Sequence, residues 1–216
     1  LTRSDIELVR DAGVTIVHNP VSNMKLGSGI CPVPTLLREG VNVALGTDGM
    51  SSNDGNDMFA ALKIAGLLHK LWEVDYEEWL GAQEAWRMAT VGGARAAGDA
   101  DGLGRIEPGR RADLVLLDLD TIPFTPLNNP LHQTVFGSTT LAVDSTMIGG
   151  RWVVRQGIVT GIDEAAIHAE AREIGGEMLA RHDAAFEIGE ALLTSLHAGW
   201  LAAMRTEVGA ERKLHR

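Results

Sequence analysis

Two short apolar runs constrain the fold more than any other feature of this chain. "VTIVH" covers residues 14–18 and "VNVALG" covers residues 41–46. Both are near-continuous apolar runs, and the first is rich in β-branched residues. That texture belongs to strands buried on both faces. Between them, "VPTLLREG" (33–40) reads as a short helix that stops at Gly40, and "NPVSNMKLGSGICP" (19–32) reads as a loop. Strand, helix, strand implies a parallel pair with a crossover, and hence an α/β architecture. Each run ends in a polar cluster. In parallel α/β proteins, ligands bind at that carboxyl end of the strands.

The second cluster, "TDGMSSND" (47–54), places Asp48 just past a buried strand. Two readings are open there. Asp-Gly is a common turn dipeptide, and an acid at a strand's end is also where site chemistry is placed. Ser51 and Ser52 lack a His–Asp arrangement that would make either a nucleophile.

Around this unit, residues 4–12 read as a helix capped by Ser4 with Glu7 as its partner. Asp54 or Asn53 would cap a long helix running to about Lys70. A helix over 77–90 and a Gly/Ala-rich helix at 91–98 follow. Near residue 100 the texture changes. "ADLVLLDL" alternates as a strand, two more strand signals follow at 140–148 and 151–160, and Gly149–Gly150 forms a hairpin turn between them. From 163 to 205 the pattern is helical and amphipathic, with interruptions expected at Gly175–Gly176 and Gly189. The expected organisation is therefore a parallel α/β part (1–100), a small β module (101–162) and C-terminal helices with a tail (163–216).

Composition excludes several classes of function. Nineteen basic residues stand against 29 acidic ones, a net charge of −10. That opposes a nucleic-acid groove or an anionic membrane surface as partner. No apolar run approaches the ~20 residues of a membrane span. Cys31 is the one cysteine, so a reducing, cytoplasmic setting is expected, with Cys31 an inert thiol. His69, His132, His168, His182, His197 and His215 are scattered without metal-ligand spacing. Trp72, Trp79 and Trp86 recur every seventh position, as a packing stripe would. The chain opens at Leu1 and enters a helical pattern almost at once, so it is expected to be the C-terminal part of something longer.

"HNPVSNMKLGSGICPVPTLLREGVNVALGTDGMSSND", together with "RMATVGGARAAG", "LGRIEPGRRADLVLLDLD" and "MIGGRWVVRQGIVTG", resembles the metal-dependent amidohydrolase superfamily. The resemblance covers roughly residues 1–165. It points to the branch of triazine chlorohydrolases, methylthioadenosine and S-adenosylhomocysteine deaminases, and guanine-type deaminases. It implies a (β/α)₈ barrel, of which "VTIVH" would be strand seven and "VNVALG" strand eight, with a small β-sandwich beside it. It implies one divalent metal, usually zinc, and Asp48 as both metal ligand and catalytic carboxylate. His18 is not one of the family's usual ligands and would border the substrate pocket or orient its loops. Asn19, Ser22, Asn23, Ser52 and Asn53 would hold the loop shapes or touch substrate, Asn53 bonding near Asp48. The implied activity is hydrolytic deamination of an amino-substituted nitrogen heterocycle: a purine, pterin, pyrimidine or triazine. The alternatives are loss of chloride or opening of a cyclic amide, and an inert fragment or a subunit needing an N-terminal partner. The intact protein would be a homo-oligomer. No HxH motif occurs in the 216 residues, so the family's other ligands are absent, and this chain alone is expected to be inactive.

Overall fold

A β-branched strand pairs where helices cover it, and the first hundred residues follow that rule on one side only. The computed structural model describes residues 1–71 and 74–206. They divide into two compact units, Leu1–Ile158 and a second that begins at Val159.

In the first unit, α1 (Arg3–Asp11) leads into β1 (Ile16–His18). Thr2, not Ser4, caps α1: its hydroxyl takes the Asp5 amide and the Asp5 carboxylate takes the Thr2 amide. Here Asp5 fills the place that the box usually gives to Glu or Gln, so the box closes at Thr2–Asp5, two residues earlier than the expected Ser4–Glu7. The stretch after β1 is not all loop. Pro20 sits where a helix has no use for an N–H, and α2 (Pro20–Lys25) forms on it. Then come α3 (Val33–Arg38) and β2 (Val43–Leu45). β1 and β2 pair in parallel, Ile16 with Val43, Val17 with Ala44 and His18 with Leu45.

Burial of the two strands differs. All of β2 is buried, between α3 and the helices that follow. In β1 only His18 is buried, and Val17 stays 50% exposed. Both outer edges of this two-stranded sheet lack a strand partner among the described residues, so β1 is not the fully buried strand its composition implies.

After β2, the short α4 (Met50–Asn53) ends at Asp54 in the left-handed region. Asp57, rather than Asp54 or Asn53, then caps α5 (Met58–Leu68) by accepting from the Phe59 and Ala60 amides. The next helical stretch is α6 (Ala82–Arg87), a π-turn at Met88–Gly92, and α7 (Gly93–Ala96). The π-turn brings Gly92 against β2 so closely that a Cβ there would collide with the Val43 carbonyl. The core gathers here: Leu36, Val43, Leu45, Leu62, Ala85 and Met88 are among its buried members, with Val135 from further along the chain. Trp79 and Trp86 remain more than one third exposed and form no buried stripe; Trp72 lies outside the described residues.

The β module comprises β3 (Leu114–Leu117), α8 (Pro130–His132) with a π-turn after it, β4 (Val143–Ile148), β5 (Arg151–Arg155) and β6 (Ile158–Val159). The strands form one sheet in the order β3-β4-β5-β6, β4 antiparallel to both β3 and β5. Gly149 and Gly150 turn the β4–β5 hairpin with φ of 56° and 79°, the double positive φ that a two-residue hairpin needs. Val115, Leu116 and Ile148 are about half exposed on this sheet.

The second unit is helical: α9 (Glu164–Ala180), capped by Asp163, and α10 (His182–Arg205). Gly175, Gly176 and Gly189 lie within these helices and do not break them; the break falls at Arg181. Glycine costs a helix only ~1 kcal/mol, too little to stop a long one. No helix among the described residues is long and apolar enough to cross a membrane. The solvated tail expected for "RTEVGAERKLHR" (205–216) begins later, since Arg205 ends α10 and Thr206 caps it; residues 207–216 lie outside the described residues.

Candidate active site

The site is built on the carboxyl ends of β1 and β2. From β2 the chain passes through Gly46 and Thr47 to Asp48, which adopts φ 63°. That is the left-handed region, which Asp tolerates better than most residues. Gly46 is required where it is: its amide bonds the His18 carbonyl at 3.0 Å, and a Cβ would strike the Asn19 side chain.

The Asp48 carboxylate stands exposed and accepts hydrogen bonds on both oxygens. Ser22, itself buried, donates its hydroxyl to Oδ2 at 2.6 Å, and the Gly49 amide donates to Oδ1 at 2.9 Å. The Ser22 bond, followed by those from Gly49 and Ser52, holds the Asp48 pKa below the usual carboxylate value. The acid therefore stands ionised at neutral pH, with lone pairs free on both oxygens.

Neighbouring residues fix this loop. Asn53 donates its side-chain amide to the Thr47 carbonyl at 2.6 Å, and Ser52 donates to the Gly49 carbonyl at 3.0 Å. Lys25 at the end of α2 pairs with Asp54 at 2.5 Å, so the loop after β1 and the loop after β2 are tied together. Asn19 is the N-cap residue of α2 without a side-chain capping bond, and Asn23 lies half-buried within that helix. Ser22 bonds the carboxylate of Asp48 rather than the backbone of its own loop.

His18 ends β1 with 1% exposure, and neither ring nitrogen has a hydrogen-bond partner. Burial, then the neighbouring His69, pushes its pKa down to about 4. The two rings lie 5.7 Å apart. His69, read from the sequence as a scattered histidine, is in fact buried and bonds the Cys31 carbonyl at 2.9 Å through Nε2. The sequence signal was its place at the end of the apolar α5, facing the β1 loop. Burial raises the Cys31 thiol to about 11, so it stays protonated and unreactive.

A zinc site needs at least three protein ligands. Asp48 suits one position: it is exposed, ionised and oriented. Among the described residues, however, no three His, Cys, Asp or Glu side chains converge. The described residues therefore do not make up a zinc site. A cleft lined by Asn42, Glu84, Arg87 and Arg95 lies at the other end of β2, away from the strand ends that carry Asp48.

The parallel strand pair thus carries an ionised, hydrogen-bonded aspartate at its carboxyl end, the end where α/β proteins bind ligands. Residues 1–153 match the amidohydrolase family, and the chain belongs to that family. It is 40% identical over 179 residues to a 5-methylthioadenosine/S-adenosylhomocysteine deaminase of Acetivibrio thermocellus, covering 83% of this chain and 41% of that protein. It is 38% identical over 181 residues to a 5'-deoxyadenosine deaminase of Methanosarcina mazei, covering 84% and 41%. Among solved structures it resembles an adenosine deaminase from Xanthomonas campestris with bound zinc: TM-score 0.79, 39% identity, 83% of this chain and 41% of that one. It also resembles the atrazine chlorohydrolase of Arthrobacter aurescens complexed with zinc: TM-score 0.74, 31% identity, 80% and 38%. The chain thus spans about two fifths of the length of these relatives.

Proposed function

We propose that this chain supplies one wall of the active site of a hydrolytic deaminase acting on an amino-substituted nitrogen heterocycle. Asp48 is its catalytic carboxylate. The observation that carries this reading is the Asp48 carboxylate itself, ionised at a strand's carboxyl end with Ser22 and Gly49 holding one oxygen each. In such a reaction, water adds to the ring carbon that bears the amino group. Asp48 takes the proton from the attacking water and returns one to the amine, which leaves as ammonia. A low carboxylate pKa keeps Asp48 ready to accept, and the two hydrogen bonds fix the plane of its oxygens.

The finer assignments rest on the family and on this geometry. β1 and β2 are read as strands seven and eight of a (β/α)₈ barrel. The four-stranded sheet is read as one layer of a β-sandwich whose other layer comes from outside the described residues. Zinc, present in both structural relatives named above, is the metal proposed for the whole protein. Asp48 would be one of its ligands, and the remainder would come from outside the described residues. A purine nucleoside is the favoured substrate, because both deaminase relatives above are named for adenine nucleosides. His18, Asn19, Ser22, Asn23, Ser52 and Asn53 are proposed to shape the pocket, His18 as a neutral ring beneath it. The chlorohydrolase likeness keeps loss of chloride as a second reading. A homo-oligomer in a cytoplasmic setting belongs to the same proposal.

The test is a chimaera in which this chain replaces the matched segment of the A. thermocellus deaminase. Ammonia release from 5-methylthioadenosine supports deamination. Chloride release from atrazine without ammonia release would favour the second reading.

A further inference from the structure

Three residues other than glycine adopt a positive φ among the described residues: Asp48 and Asp54, both at 63°, and Gln156 at 52°. The two aspartates are the two ends of one loop. In that conformation the Cβ crowds the following carbonyl oxygen, so a residue is held there only where neighbouring contacts offset the crowding. Both aspartates find such a contact on the same element. Ser22 donates to the Asp48 carboxylate at 2.6 Å, and Lys25 pairs with Asp54 at 2.5 Å. Ser22 and Lys25 stand three positions apart on α2 and so share a face of that helix.

The helix is better anchored than the loop it holds. Pro20 and Ser22 are buried, and α2 packs against α4 and α5. No residue of Met50–Asn53 is buried. Within the loop, Asn53 donates to the Thr47 carbonyl, the Ser52 and Asn53 amides bond the Gly49 carbonyl, and the Asp54 amide bonds the Met50 carbonyl. Those bonds close the loop on itself and set its shape. The side-chain bonds that tie it to another element are the two from α2.

Taking Asp48 as the catalytic carboxylate of a deaminase, as above, we propose that α2 is the element that positions it, with Ser22 holding the Asp48 end of the loop and Lys25 the Asp54 end. Lys25 is thereby a positioning residue. It acts on Asp48 through Asp54 and α4, not at the reacting atoms. An ion pair this exposed adds little to stability by itself. Its effect on turnover is larger, because a carboxylate displaced by about 1 Å can lose on the order of 10²-fold in rate.

The experiment has two arms. Amide hydrogen exchange of the full chain reads the clamp without reference to activity. Lys25→Met and Ser22→Ala should each speed exchange of the Ser52, Asn53 and Asp54 amides ~two- to fivefold and leave α5 unchanged. In the chimaera with the A. thermocellus deaminase, Lys25→Met should lower kcat ~three- to thirtyfold with KM and melting temperature held. Lys25→Arg, which keeps the cation, should stay within about twofold of the parent. Asp54→Asn tolerates the left-handed turn but carries no charge. It should repeat the Lys25→Met loss, and the double variant should lose no more than either alone. Arg3→Met, which breaks an ion pair on α1, should leave both arms unchanged. Unchanged exchange in Lys25→Met overturns the proposal. So does faster exchange with an unchanged kcat, which would leave Lys25–Asp54 a stabilising contact alone. A raised KM at constant kcat also overturns it, by making Lys25 a substrate-binding residue. A parent chimaera that releases no ammonia counts against the deaminase reading, and the exchange arm then decides by itself whether α2 holds the loop.

Discussion

Asp48 and His18 lie at the ends of neighbouring strands and face opposite demands. Asp48 is exposed, charged and doubly hydrogen-bonded; His18 is buried, neutral and without a partner. The sequence marked both positions, because each follows an apolar run. It could not show that Ser22 reaches Asp48, since that bond joins residues 26 positions apart. Nor could it show that His69 packs against His18, since histidine at a helix end is compatible with surface or core. For His18 the sign of the pH effect is fixed. Above its ordinary value of 6.5 the ring is neutral folded or unfolded. Between 6.5 and about 4 the unfolded chain binds a proton that the folded chain refuses. Stability therefore falls as pH drops through that window, by about 3 kcal/mol in total. Urea midpoints at neutral pH and near the lower end of the window should differ by less in His18→Asn than in the parent. An equal drop in both would place the acid sensitivity elsewhere.

At the scale of elements, the apolar runs gave the two strands and their parallel pairing, and the Gly-Gly turn gave the β4–β5 hairpin. Boundaries moved where local chemistry offered two answers. Thr2 and Ser4 can both cap, and so can Asn53, Asp54 and Asp57. α2 stayed hidden because Asn, Ser and Gly around it are turn formers, whereas Pro20 at its first position was the signal for a start. The π-turn at Met88–Gly92 had no sequence mark beyond its glycines, and its cause is tertiary: Gly92 seats against the Val43 carbonyl. Gly92→Ala should therefore cost about 1–3 kcal/mol, seen as a lower urea midpoint with an unchanged slope. Gly93→Ala, whose added methyl would make only ordinary contact, should be close to neutral or slightly stabilising. Equal effects at the two glycines would contradict the close approach to β2.

For the whole molecule, what the described residues do not bring together matters as much as what they hold. One oriented carboxylate at the strand ends, with no three candidate ligands converging among the described residues, predicts that the chain by itself retains no stoichiometric zinc after dialysis. Metal analysis by plasma spectrometry checks this, and one equivalent retained would mean a site assembled elsewhere or between copies. The fold class was legible because the pattern of strands and helices is local. The complete site was not, because a site at the ends of parallel strands draws side chains from positions far apart in sequence, as Ser22 and Asp48 already show.

The most direct measurement is ammonia release by the chimaera with the A. thermocellus deaminase, compared with the same chimaera carrying Asp48→Asn. Asparagine keeps the shape and the Ser22 hydroxyl's acceptor but cannot take a proton from the attacking water. The parent chimaera should turn over, and Asp48→Asn should lower kcat by ~10²–10⁴-fold while the melting temperature holds. An Asp48→Asn chimaera that stays within a few-fold of its parent would contradict the catalytic role of Asp48.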